Sequence, residues 1–208
     1  MKRHPKLKLP GLPSLILVIG LICGPAGKAS ADAGTAKTLI ETYHQSIKAI
    51  LSGSKDTDKV RESIKQELAS MVDFPAFSEL ALNRYYDSLN KKERSQYIDA
   101  FRKLIEATYV KRIKPGGDHE LSFRDEPEER EGKVMVLTTV AKGDNEVDID
   151  YLLHKDPTGK WKIYDILIDE VSMARNYRSQ FYKIFKENGL GGPKGLLSHM
   201  TQQEAKEK

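Results

Sequence analysis

Apolar residues recur three and four positions apart between Leu39 and Ile113, and then at every second position from about 119 to 169. From Ala174 to Phe185 the spacing returns to three and four. The first regime predicts helices over 32–116. Leu39, Ile40, Tyr43, Ile47, Ile50 and Leu51 form one stripe, which Ser52–Lys55 breaks. Asp56 or Asp58 suits the cap of a second helix carrying Val60, Ile64, Leu68, Met71 and Val72. Asp73-Phe74-Pro75 marks a restart, because proline is tolerated only in a helix's first turn. Asn90 and Glu93 have capping-box spacing ahead of Tyr97, Phe101, Leu104, Ile105, Tyr109 and Ile113, and Pro115-Gly116-Gly117 stops that helix.

The period-two region predicts strands near 119–125, 132–142, 145–155 and 160–169. Gly143-Asp144-Asn145 and Asp156-Pro157-Thr158-Gly159 are short turns, so these strands should form an antiparallel meander. The third alternates Val147, Ile149, Tyr151 and Leu153 against Asp148, Asp150 and His154. The second carries Val134, Met135, Val136, Leu137 and Val140, apolar on both faces, and calls for cover on each side. A last helix over 172–189 aligns Ala174, Tyr177, Phe181, Ile184 and Phe185, with Gly189 ending it. Gly191-Gly192-Pro193 precedes a short piece with Leu196, Leu197 and Met200. Helices, a meander and helices again make an α+β domain.

The 208 residues carry 34 basic and 30 acidic side chains, a net charge of +4. Five of the basic groups (Lys2, Arg3, Lys6, Lys8 and Lys28) lie within 1–31, which has no acidic residue. That stretch also has an apolar run from Leu12 to Ile22 and the small-residue set Ala29-Ser30-Ala31. The order matches a secretory signal peptide, with cleavage after Ala31 and delivery to the periplasm. The run is too short for a membrane span, which takes about 20 residues. Removing the leader leaves 29 basic and 30 acidic groups, which argues against a nucleic-acid partner. It also removes Cys23, and with it disulfides, thiol catalysis and thiolate metal sites. The organisation expected is a leader over 1–31, one domain over 32–200 and a polar tail over 201–208.

Catalytic patterns are sparse. His44, His119, His154 and His199 show no metal-ligand spacing and read as surface histidines, and no metal or other cofactor is expected. Asp148 with Asp150, or Asp165 with Asp169 and Glu170, could supply paired carboxylates for acid–base work. Their simpler reading is a solvated strand face, with Glu170 capping the following helix and Asp125–Glu131 a solvated loop. The apolar inventory says more. Tyr151, Trp161, Ile163, Ile166, Ile168, Tyr177 and Phe181 converge on the meander and its last helix, as an ordinary core or as the wall of a cavity fit for acyl chains.

Trp161-Lys162-Ile163-Tyr164-Asp165-Ile166, Val171-Ser172-Met173 and Asn176-Tyr177-Arg178-Ser179-Gln180-Phe181 resemble the toluene-tolerance family of phospholipid-binding proteins. Val72-Asp73-Phe74, Arg94 through Tyr109, and Gly189 through Leu197 agree with it. The chain departs from the family at Glu170, Asn83 and Tyr86, where glycine, glycine and tryptophan are usual. The resemblance implies a cystatin/NTF2-like fold, with helices on a curved antiparallel four-stranded sheet and a helical lobe. It further implies a non-enzymatic carrier that exchanges phospholipid between an outer-membrane lipoprotein complex and an inner-membrane ABC transporter bearing a substrate-binding ring. Such a carrier maintains outer-membrane lipid asymmetry. Tyr109, Val136, Ile149, Tyr151, Ile163, Ile166, Val171, Tyr177 and Phe181 are then the expected lipid contacts. Arg178 would hold its helix by a charge-assisted bond or face a headgroup phosphate. The rival readings are a small enzyme on the same scaffold using the strand carboxylates, a structural adaptor, and a hopanoid-linked relative.

Overall fold

The computed structural model describes residues 29–116, 119–187, 192, 195–200 and 202. Residues 1–28 of the expected leader, Gly189 and most of the polar tail lie outside the described residues. Among the described residues five long helices run in order: α1 (Ala29–Gly53), α2 (Thr57–Met71), α3 (Phe74–Leu82), α4 (Lys91–Tyr109) and α5 (Met173–Glu187). Short 3-10 segments follow α3 (Asn83–Ser88) and α4 (Val110–Arg112). The expected cleavage point after Ala31 falls within the first turn of α1.

The helix boundaries obey local chemistry. The Asp56 carboxylate accepts the N–H groups of Asp58 and Lys59 and starts α2. Asp73 accepts the Ala76 N–H, and Pro75 fits the first turn of α3. Asn90 and Glu93 complete a reciprocal capping box at α4. Asn83 ends α3 at φ +50°, a backbone state that asparagine tolerates better than most residues.

The sheet contains six strands rather than four: β1 (Glu120–Phe123), β2 (Glu128–Arg130), β3 (Lys133–Lys142), β4 (Asn145–Lys155), β5 (Trp161–Ile168) and β6 (Val171–Ser172). All pairs are antiparallel, in the order β1-β3-β4-β5-β6, with β2 also on β3. The long strands form the expected meander. The stretch expected as a solvated loop supplies β2, because Glu131 and Gly132, both at positive φ, turn the chain tightly back onto β3. A similar turn at Asp169-Glu170 creates β6. Such turns are hard to see in sequence when only one of the two residues is glycine, or neither is.

The helices pack on one face of the sheet. Ala33, Ala36 and Ile40 of α1, most of α3, the stripe Tyr97-Phe101-Ile105 of α4, and Met173, Ala174, Tyr177 and Phe181 of α5 form a single core with Val134, Val136, Leu153, Trp161 and Ile163. Leu196 and Met200, in a short helical turn over 195–200, join that core. On the outer face Met135 and Leu137 are half-buried, less enclosed than the double-sided apolar pattern had suggested.

Candidate functional site

Register places the inner-face side chains in rows that cross the strands. The deepest is Val134–Leu153–Ile163, followed by Val136–Tyr151–Ile166. Next come Phe123–Thr138–Ile149–Ile168–Val171 and, at the far end, Leu121–Val140–Val147. Thr138 is the polar member, and its hydroxyl is satisfied by the Ile149 carbonyl. A β-bulge between Leu152 and Leu153 shifts the register so that Ile163 and Ile166 both face inward.

Enclosure falls from the first row toward the strand tips and the sheet edge at Val171, with Thr138 in the third row still fully buried. Val134, Leu153 and Ile163 are at most 1% exposed, Ile149 and Ile168 are half-buried, Val147 is 36% exposed and Val171 is 58% exposed. The helix wall shows the same gradient. Tyr97, Phe101 and Ile105 are buried, whereas Tyr109, one turn further on the same stripe, is 36% exposed. Tyr97 meets Phe181, while Phe101 meets both Phe181 and Tyr177, so α4 runs antiparallel to α5 and its last turn heads toward Val171. Tyr109, Val147 and Val171 are the exposed large hydrophobic residues among those described. They lie toward the same end of the sheet–helix sandwich.

Of the nine residues expected at the site, Val136, Ile149, Tyr151, Ile163, Ile166 and Val171 share the inner face of the sheet. Val136 and Ile163 are fully enclosed. Tyr177 and Phe181 sit deeper, in an aromatic cluster with Tyr97 and Phe101. Burial, reinforced by the Asp150 charge, pushes the Tyr151 hydroxyl up to about 12, so it stays neutral in the apolar row. The rows also contain Leu121, Phe123, Val140, Val147 and Ile168, which the expected set omitted. Val147 and Ile168 were visible in the strand alternation; Leu121, Phe123 and Val140 needed the pairing register.

Two of the strand carboxylates, Asp150 and Asp165, are buried rather than solvated, while Asp169 and Glu170 are exposed. Asp165 is 3% exposed and accepts the Ser172 hydroxyl and the N–H groups of Ile166 and Ala174. Ser172 in turn accepts the Arg175 N–H, so these two residues cap α5 and Glu170 does not. Asp150 is buried, paired with Arg124, and accepts the Thr138 N–H. Asp148 accepts the Thr139 hydroxyl and lies 3.5 Å from the same guanidinium. Their oxygens are committed to structural bonds. The histidines are half-buried rather than fully exposed, and His154 Nε2 lies 2.9 Å from Asp73, tying the start of α3 to β4. Arg178 donates to the Leu80 carbonyl, which fastens α5 to α3.

A concavity of about 830 Å³ opens between α1 and the β4–β5 turn. Thr38, Leu39, Tyr43, Lys160 and Trp161 line it. It lies at the opposite end of the strands from Val147 and Val171.

The family profile described as MlaC protein matches residues 37–202. The chain belongs to the MlaC family. One relative is the intermembrane phospholipid transport system binding protein MlaC of Haemophilus influenzae, 22% identical over 152 residues, covering 71% of this chain and 70% of the relative. A phospholipid-binding protein from Ralstonia solanacearum, solved in complex with a phospholipid, superposes with a TM-score of 0.73 at 23% identity. That match covers 83% of this chain and 98% of the other, and it establishes the α+β fold of this MlaC-family member. Among the described residues of this MlaC-family chain, no helix is long and apolar enough to cross a membrane.

Proposed function

We propose that this chain is a periplasmic phospholipid carrier, made with a leader over 1–31 and working as one unit over 32–200. The observation that carries this reading is the graded apolar face, closed at Val134–Leu153–Ile163 and open at Tyr109, Val147 and Val171. Acyl chains enter at the open end and lie along the rows between the sheet and helices α4 and α5, with the headgroup left at the mouth. Val136, Ile149, Tyr151, Ile163, Ile166 and Val171 form the sheet wall, Tyr109 the helix side of the mouth, and Tyr177 and Phe181 the backing layer.

Two acyl chains bring roughly 30 methylenes at about 0.8 kcal/mol each, about 24 kcal/mol against water. A bilayer offers a similar gain, so movement between bilayer and carrier is close to neutral while passage through water is not. The carrier therefore loads and unloads while docked: at an inner-membrane ABC transporter with a substrate-binding ring on one side, and at an outer-membrane lipoprotein complex on the other. That exchange maintains the lipid asymmetry of the outer membrane. Binding and release suffice, and no bond is made or broken.

Native mass spectrometry of freshly purified protein tests the reading. A mass increment matching a diacyl phospholipid is expected. Protein that stays ligand-free, including after incubation with phospholipid vesicles, would contradict it.

A further inference from the structure

The 3-10 segment after α3 meets α5 at an exposed guanidinium set against two aromatic rings. Arg84 Cζ lies 5.0 Å from the ring centroids of both Tyr85 and Tyr182, and its Nη2 donates to the Tyr85 hydroxyl at 3.2 Å. Tyr85 meets Tyr182 edge-on at 5.2 Å and Phe185 at 4.9 Å. Tyr85 and Phe185 pack against the main core, and the Tyr182 hydroxyl donates to the Leu82 carbonyl at 3.5 Å. These contacts hold a side chain that would otherwise sample many rotamers. Among the described residues no carboxylate pairs with Arg84, whereas Arg94, Arg102, Arg124 and Arg130 each have one. The acid of the same 3-10 segment, Asp87, is taken by Arg94 at 3.3 Å. The helix beside Arg84 is basic: α5 carries Arg175, Arg178, Lys183 and Lys186 against Glu187 alone. Four basic groups less one acidic make +3, in a stretch 32–208 whose 29 basic and 30 acidic groups sum to −1. Lys186 is exposed and lies one turn beyond Tyr182 on the same side of α5.

We infer that this surface docks a partner protein that presents carboxylates, with Arg84 as the anchoring contact. Tyrosine and arginine are enriched among the residues that dominate protein interfaces. A guanidinium already held in place loses little entropy when it takes a carboxylate through two parallel N–H bonds. A bilayer is the poorer occupant. The rings of Tyr85, Tyr182 and Phe185 are half-buried and offer little apolar edge to insert, and residues 32–208 carry no net positive charge. None of the proposed lipid contacts belongs to this surface. The inference takes from the carrier reading only the purpose of docking. Two unit charges about 4 Å apart in water are worth about fivefold in affinity. Charge reversal replaces that attraction by a repulsion, so Arg84→Glu should cost about tenfold once salt screening is allowed for.

The test is a titration of the nitrogen-15-labelled processed chain with N-acetylated, C-amidated hexaglutamate at low ionic strength, followed by amide chemical shifts. Hexalysine and phosphatidylglycerol vesicles are titrated in parallel. Hexaglutamate should move the signals of Arg84, Tyr85 and Tyr182 through Lys186, and hexalysine should not. Arg84→Glu should weaken hexaglutamate binding about tenfold, whereas Arg112→Glu, which reverses an exposed arginine on the 3-10 segment after α4, should change it less than about twofold. Shifts centred elsewhere, or equal losses in the two variants, would overturn the inference. Vesicle binding that depends on Arg84, with these signals unmoved by hexaglutamate, would assign the surface to a membrane and overturn it too. Native mass spectrometry of Arg84→Glu keeps the two readings apart. Its lipid load should match that of the unaltered chain, and selective loss of lipid from the variant would place Arg84 in the lipid site instead. Lipid-free protein in every sample, with hexaglutamate still bound through Arg84, would defeat the carrier reading and leave this surface standing.

Discussion

Glu170 sits in the two-residue turn between β5 and β6 with φ +66°, after Asp169 at φ +47°. Two successive positive φ values define a tight hairpin turn whose second position favours glycine, since a side chain there strains the backbone. This explains physically why glycine is the usual residue where this chain has glutamate. Glu170→Gly should raise stability by about 1 kcal/mol, read as a higher urea midpoint at unchanged slope. A lower midpoint would show that the glutamate makes a compensating contact. Asp165 is the opposite case, a buried acceptor serving three donors. Asp165→Ala leaves those donors unsatisfied and should cost about 3 kcal/mol by denaturant titration; a loss below about 1 kcal/mol would show that they find other partners. His44 adds a pH dependence. Burial holds its pKa below the usual 6.5, and the charges of Lys48 and His119 act the same way, against a hydrogen bond to the His119 backbone. The unfolded chain therefore takes up this proton first. Stability should be full above about pH 6.5 and fall as the pH drops below it, and His44→Gln should flatten that slope in thermal melts between pH 5 and 7.

At the scale of elements, α5 is held at its start by the Ser172–Asp165 cap and nearer its middle by Arg178 reaching the Leu80 carbonyl of α3. Arg178→Ala should destabilise the fold by about 2 kcal/mol in chemical denaturation while leaving the bound lipid species unchanged. A change in lipid composition without loss of stability would instead give Arg178 the headgroup role. The helices and long strands were legible in sequence because their signals are local: capping residues at Asp56, Asp73 and Asn90, apolar spacing along α1, α2 and α4, and period-two alternation in β4. The two short strands were not, since each depends on a turn in which a glutamate adopts a left-handed backbone. The burial of Asp150 and Asp165 was equally hidden, because an alternating strand shows which residues share a face but not what Arg124 or the start of α5 will place against it. Ile149 and Tyr151 share a face because alternation fixes sidedness, whereas Ile163 and Ile166 share it only through the bulge opposite Leu152 and Leu153. Which of them are enclosed and which open depends on how far the helices extend over the sheet, and strand alternation does not encode that.

The whole molecule is a sheet with a helical layer on one face, enclosed most fully at Val134, Leu153 and Ile163 and least at Tyr109, Val147 and Val171. Five of its basic residues lie within 1–31, and the remaining 177 residues are close to neutral. Long-range attraction of residues 32–208 to an anionic membrane therefore contributes little. The central claim is that lipid tails lie on the inner face of the sheet, entering past Tyr109, Val147 and Val171, rather than in the 830 Å³ cleft beside α1. The most direct measurement is photo-crosslinking with a phospholipid that carries a photoreactive group in its acyl chain, followed by peptide mapping. Adducts on Tyr109, on Val147 through Tyr151 and on Ile166 through Val171 are the predicted result. Adducts concentrated on Thr38 through Tyr43 and Lys160 through Lys162 would contradict it.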